Sequence, residues 1–255
     1  MSLHADLDPR AFLIHQDAHM LAFNKPAGLA VQGGSGVQQN LEDMLAAFAK
    51  SNGKRPHLVH RLDRDTSGVI VAARTKPAAA FLSAAFAGRE VKKAYLAIVC
   101  GGAPEPAQGV IDLALRKAAR HGLDIMEVVR DRHPEPVEGR RRSPLTGSGE
   151  QAALTRYCTV AASAQAALLE LQPETGRMHQ LRAHLAAIGR PIAGDGKYGG
   201  LFSLGAVPIP GLMLHAARLD LPHPAGGVLA LSAPPPPAFQ TALDALGLVG
   251  GYAIS

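Results

Sequence analysis

The chain has 255 residues, 47% of them hydrophobic and 18% charged, with a formal net charge of +5 and two cysteines. That supplies a core for one large domain or two small ones and excludes a wholly disordered chain. No apolar run approaches the ~18 residues of a membrane span, the amino terminus lacks a secretory apolar stretch, and two cysteines make neither a disulfide framework nor a four-cysteine metal site, so a cytosolic globular protein without membrane contact is expected.

Residues 1–10 are expected to be a disordered terminus or a cloning remnant, and residues 11–255 one folded domain. Over residues 11–29 the pattern AFLIHQDAHMLAFNKPAGL reads as two short strands around an Asp turn, closed by Lys25-Pro26-Ala27-Gly28. Asn40 is a good N-cap for a helix with Leu41, Met44, Leu45 and Phe48 on one face. The continuous run GVIVAA at 68–73 predicts a buried strand. Residues 75–88 read as a helix opened by Pro77 and closed at Gly88, and KKAYLAIV at 92–99 as a strand. Further strands are expected at 110–115, 124–129, 152–160 and 167–171, which suggests antiparallel hairpins rather than strict strand-helix alternation. Between them, residues 130–150 are rich in Pro, Gly, Ser and charge and read as a mobile insertion. The tail predicts a proline-led helix with Phe239, Leu243 and Leu246 on one side.

Two segments concentrate chemistry. LVHRLDRDTSG places His60, Arg61, Asp63, Arg64 and Asp65 in the connection between two apolar strands, where a rigid scaffold aims side chains outward. Taken alone, it is equally a turn, a carboxylate pair for a metal, or a structural ion pair. In TGRMHQLRAHLAAIGRPIAGDGKYGG, Met178, Leu181, Leu185 and Ile188 follow helical spacing up to Gly189, leaving Arg177, His179, Gln180, Arg182 and His184 on the remaining surface. A cation in a helix's first turn, as Arg177 would be, calls for an anion such as a phosphate or Asp63. His179 and His184 are five apart and lack the intervening glutamate of a zinc helix, GDGKYGG lacks the spacing and Ser/Thr of a phosphate loop, and no Gly-x-Ser-x-Gly elbow occurs. No metal is expected. The positive charge favours an acidic partner, nucleic acid being the commonest, although 4% aromatic residues and no tryptophan argue against a single-strand stacking platform.

In this order, LIHQDAHMLAFNKPAGLAVQGGSG, LVHRLDRDTSGVIVAARTKPAA, KKAYLAIVCG, TGRMHQLRAHLAAIGRPIAGDGKYG and LHAARLDLPHP resemble the RluA-type family of RNA pseudouridine synthases, over residues 12–224 apart from the insertion. The resemblance implies an α+β fold: a mixed, largely antiparallel β-sheet flanked by helices and loops, with an active cleft across the sheet. It implies an isomerase that turns uridines of structured RNA into pseudouridines with no cofactor. Ribosomal RNA is the leading target and transfer RNA the second, and a monomeric enzyme is expected. Members of the branch acting on large-subunit ribosomal RNA commonly carry an S4-type RNA-binding module ahead of the synthase domain; its absence from this sequence is a departure that means either a removed module or an enzyme relying on its catalytic domain alone. Asp63 matches the family's essential aspartate, Tyr95 the tyrosine against the target base, Arg177 the arginine that pairs with the aspartate, and Arg61 a residue that can fill the gap left by a flipped nucleotide. A guanidinium beside a carboxylate favours the ionised form. Extruding a nucleotide costs a few kcal/mol that phosphate contacts must offset; His60, Arg64, Lys25, Lys93, His179, Gln180 and Arg182, together with Lys92, are the candidates to touch RNA. Two other readings compete: an idle RNA-binding or ribosome-assembly factor with the same fold, and a glycosyl hydrolase using Asp63 and Asp65 as paired carboxylates.

Overall fold

A computed structural model describes residues 7–34, 39–120, 122–129 and 149–248. The insertion expected at 130–150 therefore lies almost wholly outside the described residues. Structure begins ahead of residue 11: Asp8 caps a 3-10 turn at Pro9–Phe12 by accepting from the Arg10 N–H at 2.9 Å, and Leu7 and Phe12 pack on the core.

The amino-terminal half supplies β1 (Leu13–Gln16), β2 (Met20–Lys25), α1 (Leu41–Met44), β3 (His57–Leu58), β4 (Ser67–Ala73), α2 (Lys76–Ala87) and β5 (Lys92–Cys100). Asn40 caps α1 as expected, accepting from the Asp43 N–H at 3.0 Å, but the helix tightens after four residues into a 3-10 turn at Leu45–Phe48. Thr75 caps α2 through the Ala78 N–H at 3.2 Å. The middle contributes β6 (Gln108–Asp112), β7 (Leu115–Arg120), β8 (Leu123–Val128), β9 (Glu150–Gln151), β10 (Leu154–Ala162), β11 (Ala166–Pro173) and α3 (Gln180–Ala187). The chain ends in β12 (Ser203–Leu204), β13 (Val207–Pro208), β14 (Leu214–Pro222), β15 (Val228–Ser232) and α4 (Pro237–Ala245). None of the described helices is long and apolar enough to cross a membrane.

Ten strands form the main sheet in the order β1-β2-β4-β14-β5-β11-β10-β6, with β3 beside β4 and β15 beside β14. Every pairing is antiparallel except β4 with β14, so the expected mixed, largely antiparallel α+β sheet is what the chain builds. All seven residues of β4 are buried because both faces are covered: Val69 and Val71 pack toward Leu82 and Ala85 of α2, Ile70 and Ala72 toward Leu41, Leu45 and Phe23. A second sheet, β8-β7-β9, stands apart and packs Leu115 and Met126 against Ala183 of α3.

The parallel seam between β4 and β14 is exceptionally close. At Gly68 (φ +111°) a Cβ would lie 2.2 Å from the Ala216 carbonyl oxygen, so only a hydrogen fits there. Gly68 lies at the start of β4, directly after the loop that carries Asp63, and β14 borders β5, which carries Tyr95. The seam thus fixes how the two halves of the site meet.

Candidate active site

The loop at residues 60–66 is built by its anchors. Leu62 enters the core beside Leu21 and Ile70, and the Thr66 N–H donates to the Asp63 carbonyl at 3.2 Å, closing a turn that turns the Asp63 carboxylate away from the core. Lys25 holds the loop from beneath: its Nζ donates to the carbonyls of Pro26 (3.0 Å), Leu29 (2.8 Å) and Arg64 (2.9 Å) and is fully buried. Burial pushes the ammonium down to about 7, while Asp65 and then Asp63 pull it back up. Lys25 is therefore a strut and not the RNA contact expected, because all its donors are spent on backbone carbonyls. Arg64 also differs: exposed and outside the cleft, its Nε donates to the Gly28 carbonyl at 3.1 Å.

Asp63 opens into a cleft of about 580 Å³ between this loop, the start of β5 and the segment leading into α3. Tyr95 and Lys93 of β5 line it. Burial, then the nearby Asp63 charge, push the Tyr95 phenol above its ordinary range, so the ring presents a protonated, apolar wall. His60 lines the cleft as well; its ring stacks on Phe86 (centroids 4.3 Å, 19°), and its Nε2 accepts the Val71 N–H at 2.9 Å. That acceptor role leaves the proton of the neutral ring on Nδ1, and burial, then Lys93, lower its pKa to about 3. Burial and then Arg89 also lower the pKa of Lys93. Arg61 is exposed at the cleft mouth.

The arginine that meets Asp63 is Arg182, not Arg177. Arg182 Nη1 donates to Asp63 Oδ2 at 3.1 Å, while its Nε and Nη2 grip Asp195 at 2.7 and 2.8 Å. Arg177 precedes α3, its Nε donates to the Ala152 carbonyl at 3.2 Å, and it lines the cleft half-buried. Helical spacing misled because α3 has little free surface: every residue from Gln180 to Leu185 is buried. Its polar side chains turn inward to fixed partners. Gln180 Nε2 donates to the Leu154 carbonyl and Thr155 Oγ1, both at 3.0 Å, and its Oε1 accepts from Thr175 Oγ1 (2.7 Å) and the Arg177 N–H (3.1 Å). His184 spans Thr155 Oγ1 (3.0 Å) and the Leu113 carbonyl (2.9 Å). Gln180 and Arg182 are thus scaffold rather than RNA contacts, with no donor left over for a phosphate in the first and a double carboxylate clamp on the second.

His179 points its Nε2 at Asp63 Oδ2 from 3.8 Å. Both it and Arg182 address the same carboxylate oxygen. Asp63 Oδ1 has no hydrogen-bond partner among the described residues and is not one of the buried unpaired atoms, so it faces the cleft. Asp65 does not line this cleft, which removes the paired-carboxylate hydrolase.

Sequence reasoning missed Asp195 and Tyr198, both in the GDGKYGG turn that lacks the make-up of a phosphate loop. The signal was a lone acid among glycines, available to neutralise a helix-borne arginine. At Gly194 (φ +75°) a Cβ would lie 1.9 Å from the Gly211 carbonyl oxygen, so the chain turns there only as glycine, and this delivers Asp195 to Arg182.

Asp63 thus presents a carboxylate with one oxygen clamped and one open, beside the Tyr95 ring in a cleft of the mixed sheet, an arrangement that can supply a general base or a nucleophile. Residues 19–187 match the model of the RNA pseudouridylate synthase family. The chain is 36% identical to the bovine protein named pseudouridylate synthase RPUSD4, mitochondrial, over 92% of this chain and 69% of that one. It is 36% identical to the tRNA pseudouridine synthase C of Pectobacterium carotovorum (84% of this chain, 56% of that one) and 34% identical to the ribosomal large subunit pseudouridine synthase C of Vibrio parahaemolyticus (83% and 61%). The solved structure of human RNA pseudouridylate synthase domain containing 4 superposes with a TM-score of 0.75 at 31% identity, covering 94% of both chains.

The chain belongs to the RNA pseudouridylate synthase family, and it is an isomerase acting on RNA. The cytosolic placement expected from the sequence is overturned by the relatives named as mitochondrial, the bovine one among them.

Proposed function

We propose that this chain converts uridine to pseudouridine in a structured RNA through Asp63, with Tyr95 against the base and Arg182 as the partner of the carboxylate. The carrying observation is the division of labour on one carboxylate: Oδ2 is tied to Arg182 at 3.1 Å, and Oδ1 is left to the cleft. The reaction breaks the bond from N1 to the ribose, turns the base and rejoins it through C5. An open carboxylate oxygen serves this either by adding to C1′ or by taking a C2′ proton. The detached uracil must stay in place, and a cleft walled by Tyr95, Leu181 and Leu214 has the apolar character to hold it.

Lys93, Arg61 and Arg177 at the cleft, not Lys25 or Arg182, are the cations placed to meet phosphates. Arg61, exposed at the mouth, is the side chain to fill the gap left by the extruded nucleotide. Ribosomal RNA is the target we favour, and transfer RNA the second reading, because similar proteins carry names of each kind. One chain supplies every group named, which suits a monomer.

The test is incubation with unmodified ribosomal and transfer RNA, followed by carbodiimide-dependent reverse-transcription mapping of pseudouridine. Asp63→Asn is expected to lose product while RNA binding persists. An active Asp63→Asn variant overturns the assignment, and binding without any pseudouridine by the parent chain restores the idle-factor reading.

A further inference from the structure

Tyr198 takes no part in that chemistry, yet it touches both groups that address Asp63 Oδ2. The Arg182 guanidinium carbon stands 5.2 Å from the Tyr198 ring centroid, and the His179 and Tyr198 rings meet edge to face at 5.7 Å and 87°. The phenol oxygen accepts the Met126 N–H from β8 at 2.7 Å and lies 3.0 Å from His179 Nδ1.

Building on Asp63 as the reactive carboxylate, we propose that Tyr198 is a positioning residue: its hydroxyl donates to His179 Nδ1, fixing the tautomer that presents Nε2–H to Asp63 Oδ2. The alternative assignment fails on two counts. Were Nδ1 the protonated nitrogen, the Nε2 lone pair would face the carboxylate 3.8 Å away, and the phenol proton would have no acceptor among the described residues. The backbone agrees. His179 sits in the left-handed region (φ +50°, ψ +19°) without glycine's freedom, at the N-cap of α3, yet its side chain makes no capping bond. A non-glycine residue held there is over-determined by its surroundings, and its ring is committed to Tyr198 instead. Burial keeps the imidazole pKa low, so the ring can serve as a neutral donor.

Arg182 is bonded to Oδ2 at 3.1 Å and His179 Nε2 faces the same oxygen from 3.8 Å, beyond hydrogen-bond reach, so the two groups beside the reactive carboxylate share one tyrosine. Asp195 and Tyr198 come from the same tight turn, so that turn sets both. The link also reaches outward, since the Met126 N–H ties the phenol to the separate three-stranded sheet.

The test reads the His179 ring nitrogens by 15N NMR in the full free chain, then measures turnover. The parent is expected to show the Nε2–H tautomer. Tyr198→Phe is expected to mix the tautomers, to bring a new ionisation into the acid limb of the pH profile, and to lower kcat roughly tenfold or more with KM for RNA unchanged. His179→Asn, whose residue tolerates the left-handed backbone, is expected to lose a similar factor, and the double variant no more than either single one. An Nδ1–H tautomer in the parent overturns the proposal even if Tyr198→Phe does not fold; so do additive losses in the double variant. The tautomer is read without turnover, so this proposal can fail while Asp63→Asn stays inactive, whereas an active Asp63→Asn defeats the underlying reading whatever the tautomer.

Discussion

Behind Asp63, Arg182 and Asp195 are buried and bonded at 2.7–3.1 Å to fixed partners; in front of it, Arg61 is exposed and Arg177 and Lys93 only partly covered. The same charge type does opposite work on the two sides. The buried guanidinium is immobilised by two carboxylates and cannot reach a phosphate, so it orients the acid. The rim cations keep their reach and suit a ligand that arrives and leaves. Substitutions should separate the two sides in kind as well as in size.

The largest effect is expected behind the carboxylate. Asp195→Ala leaves Arg182 charged, buried and half unpaired, which costs about 3–5 kcal/mol; thermal melting should show Tm falling by roughly 10 °C together with loss of pseudouridine formation. A variant that melts with the parent would show the pair to be dispensable. Next comes Arg182→Lys, which keeps the charge but not the fork that grips Asp195 and Asp63 together. Single-turnover assays should show kcat down by about 100-fold with RNA affinity intact. A comparable fall in affinity would move Arg182 to the rim class.

On the open side, Arg61→Ala and Arg177→Ala should each raise KM for RNA by roughly three- to tenfold at constant kcat. Removing a cation that neutralises one phosphate should flatten the slope of log K against log salt by ~0.9 or less, as filter binding across a salt series would show. The smallest effect belongs to pH. Burial and then Arg89 lower the pKa of Lys93, so it sheds its proton at a lower pH than an exposed lysine. RNA affinity should therefore begin to decline with rising pH earlier in the parent than an exposed lysine would cause, and stay level in Lys93→Arg, as equilibrium binding at stepped pH would reveal.

Much of this was legible in the chain itself. The apolar run at 68–73, the cap at Asn40, the helix between Pro77 and Gly88, and the charged loop at 60–65 each rest on local chemistry, and each formed where expected. The arginine could not be assigned that way. Arg177 and Arg182 lie five residues apart in one motif, and what separates them is Asp195, thirteen residues beyond Arg182, delivered by a turn at Gly194 that helical spacing does not see. Lys25 failed for a related reason. Nothing adjacent to it shows that three carbonyls, one of them 39 residues away, converge on its ammonium.

The hydrogen-only contact at Gly68 has a consequence of its own. Because the strand bearing the acid's loop and the strand beside the tyrosine's touch through bare backbone, a single methyl at position 68 acts as a wedge between them. Inactivation could thus arise from a residue with no polar atom to offer. Alignment of the reacting groups is held by the absence of a side chain as firmly as by any ion pair.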